Sequence, residues 1–204
     1  MARITAGEIG SLTACTNGVL RFPLTNHPAR DGAVFLDRDG VINRRIQNGY
    51  VTRLSEFEFL PEALPSIRLL GAMGRPVIVV SNQAAVAKRL ITTRTLEQIT
   101  NWFVEQIVAA GGRVNAVYYC PHAEADGCQC RKPKAGLFLQ AAKDFGVDLT
   151  QSVMIGDSLS DAEAAKSVGI RTLLLEDGGL LGDNASDSGY EIVPDLRAAV
   201  AAIV

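Results

Sequence analysis

Long hydrophobic runs are missing from this 204-residue chain. No stretch approaches the ~20 apolar residues that a membrane-spanning helix needs, so no membrane partner is expected. The opening residues Met1-Ala2-Arg3-Ile4-Thr5-Ala6-Gly7-Glu8 lack the apolar core of a signal peptide, and a cytoplasmic location is the expectation. Charge of one sign is scarce too. Twenty Lys and Arg against 22 Asp and Glu leave a formal net charge of −2, which argues against nucleic acid as a partner. Repeats and low-complexity tracts are absent, and nothing in the chain demands more than a monomer. Histidine is down to His27 and His122, of which His27, between Asn26 and Pro28, has no partner motif and reads as a surface residue. Of four cysteines, Cys120, Cys128 and Cys130 cluster, which in a reducing compartment suggests a metal site rather than a disulfide framework. Cys15 stands alone and reads as a small, buried or half-buried residue.

What is present is an ordinary balance, 48% apolar and 21% charged residues, sufficient for one α/β domain with a full core. Residues 1–32 scatter Gly, Thr, Asn and Pro without a period and read as an extension that adds a short strand or wraps the domain. From residue 33 to 204, short apolar runs alternate with helical patterns. Strands are expected at Ala33–Asp37, Pro76–Ser81, Val114–Tyr119, Ser152–Ile155 and Arg171–Leu175, with a weaker one at Tyr190–Val193. Leu96, Ile99, Phe103 and Ile107 share one face of a helix over Arg94–Ala110 that stops at Gly111-Gly112. A second helix covers Leu137–Phe145 before Gly146, and a last one follows Pro194. Ser160-Asp161-Ala162-Glu163 fits a capping box, with Gly169 suited to end that helix. The fold class is α/β: a doubly wound, mostly parallel sheet.

Polar groups gather where the strands end. Ala33–Leu36 runs into Asp37-Arg38-Asp39-Gly40, two carboxylates one residue apart, able to share a Mg²⁺ ion, attack an electrophile and handle a proton. A turn with Asp as a helix cap would look similar. Ser81-Asn82-Gln83 offers a hydroxyl and backbone N–H groups at a helix entry, suited to a phosphate or to capping alone. Cys130-Arg131-Lys132-Pro133-Lys134 supplies cations, for a transition state or for solvent. Met154-Ile155-Gly156 leads to Asp157, a further Mg²⁺ ligand candidate. Asp161 is already explained by the dipole of the helix it begins. Four such groups in one order along successive strands are much harder to ascribe to chance than any one of them.

Between Cys120 and Cys130 lies a C-x-H-x5-C-x-C arrangement. Cys120, His122, Cys128 and Cys130 would make a closed tetrahedral Zn²⁺ site, structural because no coordination position stays open. Its expected use is to pin the loop and aim Arg131 and Lys132 at the pocket.

Together these motifs resemble the haloacid dehalogenase superfamily of phosphatases, over about residues 33–200. The resemblance implies Asp37 as nucleophile, passing through an aspartyl phosphate. Asp39 then protonates the leaving oxygen and activates water, and Ser81 and Lys132 bind the phosphoryl group. It implies Mg²⁺ on the Asp37 side chain, the Asp39 carbonyl and the Asp157 side chain. An Asp nucleophile is ionised at neutral pH and needs no separate base, and phosphoryl transfer depends mainly on positioning and charge neutralisation. The zinc loop followed by Arg131-Lys132-Pro133 resembles the branch that includes D-glycero-D-manno-heptose 1,7-bisphosphate 7-phosphatases and histidinol-phosphate phosphatases. Asn48-Gly49-Tyr50-Val51 and Glu56-Phe57-Glu58-Phe59 favour the heptose bisphosphate members, with loss of the 7-phosphate. That resemblance implies substrate contacts at Gln47, Asn48, Gly49, Tyr50, Asn82, Gln83, Ala84 and Arg131. Little sequence lies between the motifs for a large cap, so an open pocket for a small phosphorylated sugar is expected.

The chain departs from the heptose pattern at Ser158, where a lysine is usual, at Ala84-Ala85 in place of Ser-Gly, and in a longer loop between Asn43 and Gly49. These positions bear on the substrate and not on the chemistry. Arg44 and Arg45 could meet a second phosphate or stand in solvent. Histidinol phosphate or another phosphosugar is the alternative substrate. A catalytically disabled, zinc-stabilised binding module is the alternative of another class, and it would have no need of Asp37, Asp39, Lys132 and Asp157 as a set.

Overall fold

A computed structural model describes residues 11–15, 17–25, 32–176 and 190–203; His27 lies outside them. Eight strands form one sheet: β1 (Thr13–Ala14), β2 (Leu20–Pro23), β3 (Val34–Leu36), β4 (Val77–Asn82), β5 (Ala116–Cys120), β6 (Val153–Gly156), β7 (Arg171–Leu175) and β8 (Glu191–Val193). Their order is β1-β2-β5-β4-β3-β6-β7-β8, parallel from β5 to β8, with β1 and β2 antiparallel at one edge. The chain winds outward from β3 through β4 to β5, then returns to lay β6 on the other side of β3. That reversal opens a crevice beyond the carboxyl ends of β3 and β6, where ligands bind in such sheets.

Both faces of the sheet are buried, as the near-continuous apolar strands require. Val34 and Leu36 of β3 join the core on one face and Phe35 joins the core on the other, following the period of two. The first core takes in residues of α1 (Ala63–Ala72), α2 (Thr93–Ala109) and α5 (Leu196–Ala201); the second takes in α3 (Gly136–Phe145) and α4 (Leu159–Lys166). In α2 the expected Leu96, Ile99, Phe103 and Ile107 are all buried. Among the described residues no separate cap domain covers the strand ends.

Helix α1 was not evident in the sequence. Pro65 and Gly71 interrupt its pattern, yet Pro65 sits in the first turn, where its missing N–H leaves no bond unmade. No α-helix starts at Ser81 either. Residues 84–89 form turns, and α2 begins at Thr93, capped by the Thr92 hydroxyl accepting from the Thr95 N–H. The capping box of α4 uses Ser158 and Asp161 rather than Ser160 and Glu163. Ser158 keeps extended backbone while Ser160 is already helical, so only Ser158 can cap.

Residues of the N-terminal stretch add the antiparallel ribbon β1–β2 against β5, with Phe22 fully buried in the core. The ribbon turns at Gly18 (φ 78°), where a Cβ would lie 2.8 Å from Cε1 of His122. Only glycine suits both that backbone and that closeness. Cys15 is half-buried in this ribbon.

Candidate active site

Asp37 follows β3, and its N–H donates to the carbonyl of Ile155 on β6 (3.0 Å), which sets it at the crevice. Its carboxylate is almost wholly buried and lies 2.9 Å from Nζ of Lys132. Burial raises the Asp37 pKa; Lys132 opposes this, while Asp161 and Asp39 add to it. Lys132 also lies 2.5 Å from Asp161 and donates to the Val80 carbonyl at 2.9 Å. Burial alone would lower the lysine's pKa, but Asp161 and Asp37 outweigh it and raise it, so the ammonium stays charged. Asn82 fixes the backbone here: it accepts from the Lys132 N–H at 3.1 Å and donates to the Lys132 carbonyl at 3.0 Å.

Asp39 is held on a different set of partners. Arg38 donates to both its oxygens at 2.9 and 2.8 Å, Asn43 to one at 2.9 Å and Gln83 to the other at 2.8 Å. Burial would raise its pKa, but Arg38 first, then Asn43 and Gln83, hold it below the usual carboxylate range. Arg38 is fully buried, its guanidinium carbon 5.9 Å from the Phe57 ring centre and 6.0 Å from that of Tyr119. Phe57 in turn stacks on Phe103 at 5.4 Å. A cation on aromatic faces inside a hydrophobic core is thus tied directly to the DxD turn.

Asp157 follows β6, its side chain buried, with Nη2 of Arg45 2.5 Å from Oδ1. Burial raises its pKa first and the nearby Asp37 adds to that, while Arg45 opposes. Its Oδ2 is buried with no hydrogen-bond partner. Gly40 makes room for that oxygen: at φ 92°, a Cβ there would lie 1.6 Å from it. Carboxylate oxygens of Asp37, Asp157 and Asp161 lie within 4.8 Å of one another, a donor set suited to a hard divalent cation, and the orphaned Oδ2 fits one.

A cavity of about 540 Å³ opens over Asp37, Asp39, Ser81 and Lys132, and Asn48, Gly49, Tyr50 and Asn82 line it too. Of the other expected contacts, Gln83 and Ala84 are buried, and Gln83 donates to Asp39 and to the Ser81 hydroxyl (3.2 Å). Arg131 lines an adjoining cavity of about 400 Å³, and Gln47 one of about 570 Å³. The structure also brings in residues the sequence reading left out of the site. Asp161, explained there by a helix dipole, is fully buried against Lys132. Lys88 lies 5.1 Å above the Tyr50 ring at the cavity wall. Asp161 lies in the first turn of α4, four residues after Asp157, a closeness in sequence that was the available signal for the first; nothing local pointed to the second.

The cysteine loop closes on itself. Sγ of Cys130 lies 3.3 Å from that of Cys120, 3.5 Å from that of Cys128 and 3.2 Å from Nδ1 of His122. A tetrahedron with Zn–S bonds of about 2.3 Å has edges of about 3.8 Å. Four converging N and S donors at nearly those separations fit one zinc ion, with Nδ1 the histidine's inward atom. The contact between the Cys120 and Cys130 thiols lowers the pKa of Cys130 and raises that of Cys120. All four cysteines are free.

A doubly wound sheet with this carboxylate–lysine cluster at its switch point is the arrangement of a haloacid dehalogenase-type hydrolase. Residues 129–199 match the HAD-hydrolase-like family model. The D-glycero-β-D-manno-heptose-1,7-bisphosphate 7-phosphatase of Haemophilus ducreyi is 39% identical over 150 residues, covering 70% of this chain and 81% of that one. The Yersinia pestis protein of the same name is 33% identical over 181 residues, covering 83% and 95%. Among solved structures, the D,D-heptose 1,7-bisphosphate phosphatase of B. bronchiseptica, complexed with magnesium and phosphate, superposes with a TM-score of 0.79 at 32% identity. It covers 84% of this chain and 97% of that one. The chain belongs to the family of these heptose bisphosphate phosphatases, within the haloacid dehalogenase-type hydrolases. Among the described residues no helix is long and apolar enough to cross a membrane.

Proposed function

We propose that this chain is a Mg²⁺-dependent phosphomonoesterase that removes the 7-phosphate of D-glycero-D-manno-heptose 1,7-bisphosphate. The observation that carries it is Asp37 held 2.9 Å from Lys132 at the floor of an open cavity, beside a carboxylate cluster with an orphaned oxygen. A carboxylate oxygen of Asp37 attacks phosphorus, the P–O bond to the sugar breaks, and the leaving oxygen takes a proton from Asp39. Water then attacks the aspartyl phosphate, Asp39 takes the water's proton, and inorganic phosphate leaves with Asp37 restored. Lys132 and Ser81 hold the phosphoryl oxygens. Asp39 in the free protein is the ionised form, ready as base; to act as acid it must take up a proton and loosen its bonds to Arg38 and Asn43. Mg²⁺ on Asp37, the Asp39 carbonyl and Asp157 would supply charge neutralisation for the transferring group. Zinc on Cys120, His122, Cys128 and Cys130 would be structural.

The same reading makes the protein a cytoplasmic monomer, with residues 1–32 as an extension on a phosphatase domain of 33–204. It is tested by Mg²⁺-dependent phosphate release from both anomers of the heptose bisphosphate and from histidinol phosphate, with Asp37→Asn as blank. A clear preference for a heptose bisphosphate supports it. Preference for histidinol phosphate would move the chain to the neighbouring branch, and no Asp37-dependent release from any phosphate ester would end the enzyme reading.

A further inference from the structure

We propose that Arg45 is a built-in counter-cation for Asp157, exchanged for the divalent ion when the carboxylate cluster is loaded and then free to bind an anionic group in the catalytic cavity. The inference rests on the reading above only for the identity of the cation and the anion.

Asp37, Asp157 and Asp161 bring three carboxylates within reach of one ion. Lys132 serves two of them, at 2.9 Å from Asp37 and 2.5 Å from Asp161. Asp157 is left to Arg45, at 2.5 Å. A buried carboxylate without a partner is strongly destabilising, so in the metal-free protein this guanidinium is what keeps Asp157 in place. A divalent ion and Lys132 together carry enough positive charge to balance the three carboxylates without Arg45. Arg45 then has no charge left to neutralise there, and it would stand next to a like charge.

The geometry gives it somewhere to go. Asp157 is completely shielded, but the Arg45 side chain is 32% exposed and sits on a loop, not in the core. It lines the catalytic cavity together with Asn48 and Tyr50, and it lines the adjoining cavity as well. Released from Asp157, it faces the space a phosphorylated substrate would fill. Because linkage is reciprocal, an ion that frees Arg45 strengthens anion binding, and a bound anion that engages Arg45 strengthens ion binding. Arg44 next to it behaves differently: it forms a two-point pair with Glu58, exposed on both sides.

The test is Mn²⁺ binding to the zinc-loaded, full-length protein at pH 8, followed by electron paramagnetic resonance. Arg45→Met, Arg44→Met and Asp157→Asn are the variants, with thermal melting measured with and without Mn²⁺. Arg45→Met is expected to bind Mn²⁺ at least about tenfold more tightly, and to melt several degrees lower without the ion, the gap closing when it is saturated. With Mn²⁺ saturating, its affinity for inorganic phosphate is expected to fall several-fold. Unchanged or weaker Mn²⁺ binding overturns the exchange, as does an equal effect in Arg44→Met or undiminished binding in Asp157→Asn. Tighter Mn²⁺ binding with unchanged phosphate affinity overturns the second half, the capture of the anion. No Mn²⁺ binding by any form overturns both this and the metal reading. Failure of the phosphatase reading alone would look different, with Mn²⁺ binding that responds to Arg45 but no Asp37-dependent phosphate release.

Discussion

Among the described residues, two clusters of side chains suited to hold a metal ion are assembled in opposite ways. The thiolate–imidazole cluster comes from one short segment, Cys120 to Cys130, whose donors meet by local folding of a loop between β5 and the Lys132 turn. The carboxylate cluster gathers Asp37 after β3 with Asp157 and Asp161 around the start of α4, so it exists only when β3 and β6 are paired. One is soft and closed on itself; the other is hard, keeps a buried oxygen without a partner and opens on a cavity. On the proposed reading the labour is divided: the local cluster would fix a loop, and the long-range cluster would serve the chemistry at a place the sheet defines. Lys132, two residues after Cys130 and bonded to Asp37, is the link between them.

Disabling the hard cluster alone should have the largest effect. Asp37→Asn is expected to lower turnover at least about 10³-fold, in keeping with the loss of a nucleophile. Because Asp37 is a buried carboxylate whose pKa burial raises, the neutral amide should not lower the melting temperature. Phosphate release together with a thermal melt checks both. A large fall in stability would mean that Asp37 is a structural partner of Lys132 first.

Disabling the soft cluster should have a smaller effect on rate and a larger one on the loop. Cys128→Ser leaves three ligands and should release zinc, with a fall in turnover of about 10–100-fold, the range found when groups supporting a metal site are lost. Zinc content, melting temperature and phosphate release on the same sample test it. Retained zinc with full turnover would remove the positioning role. Asn82→Ala then asks what else holds Lys132. It removes two hydrogen bonds to the lysine's backbone, each worth about 0.5–1.5 kcal/mol, so turnover should drop about tenfold while zinc stays bound.

The same contrast explains what could be read before the structure. The soft cluster was legible because its spacing is itself the site. The hard cluster was legible at Asp37 and Asp157, each announced by an apolar run that leads into a carboxylate. Asp161 was not, because an acid in the first turn of a helix has a local explanation that hides its contact with Lys132. Arg38 and Gln83 were invisible as partners of Asp39, since only the packed turn brings them there. Strands β3 to β8 were legible from apolar runs to within a residue or two, β1 and β2 only as an extension that adds a short strand or wraps the domain, and α1 was masked by Pro65 and Gly71.

Acid should divide the clusters most gently. Protons compete with zinc for its ligands, so the order in which the ligands protonate sets when the loop lets go. The contact between the Cys120 and Cys130 thiols lowers the pKa of Cys130 and raises that of Cys120, so Cys120 is the one that keeps its proton in the metal-free loop. Loading zinc must therefore expel the Cys120 proton, and zinc should be held at pH 8 and released progressively as the pH falls into acid. Free zinc measured with a colorimetric chelator along that series checks the expectation. Zinc that stays bound throughout such an acid series would show that protons do not compete for these four ligands.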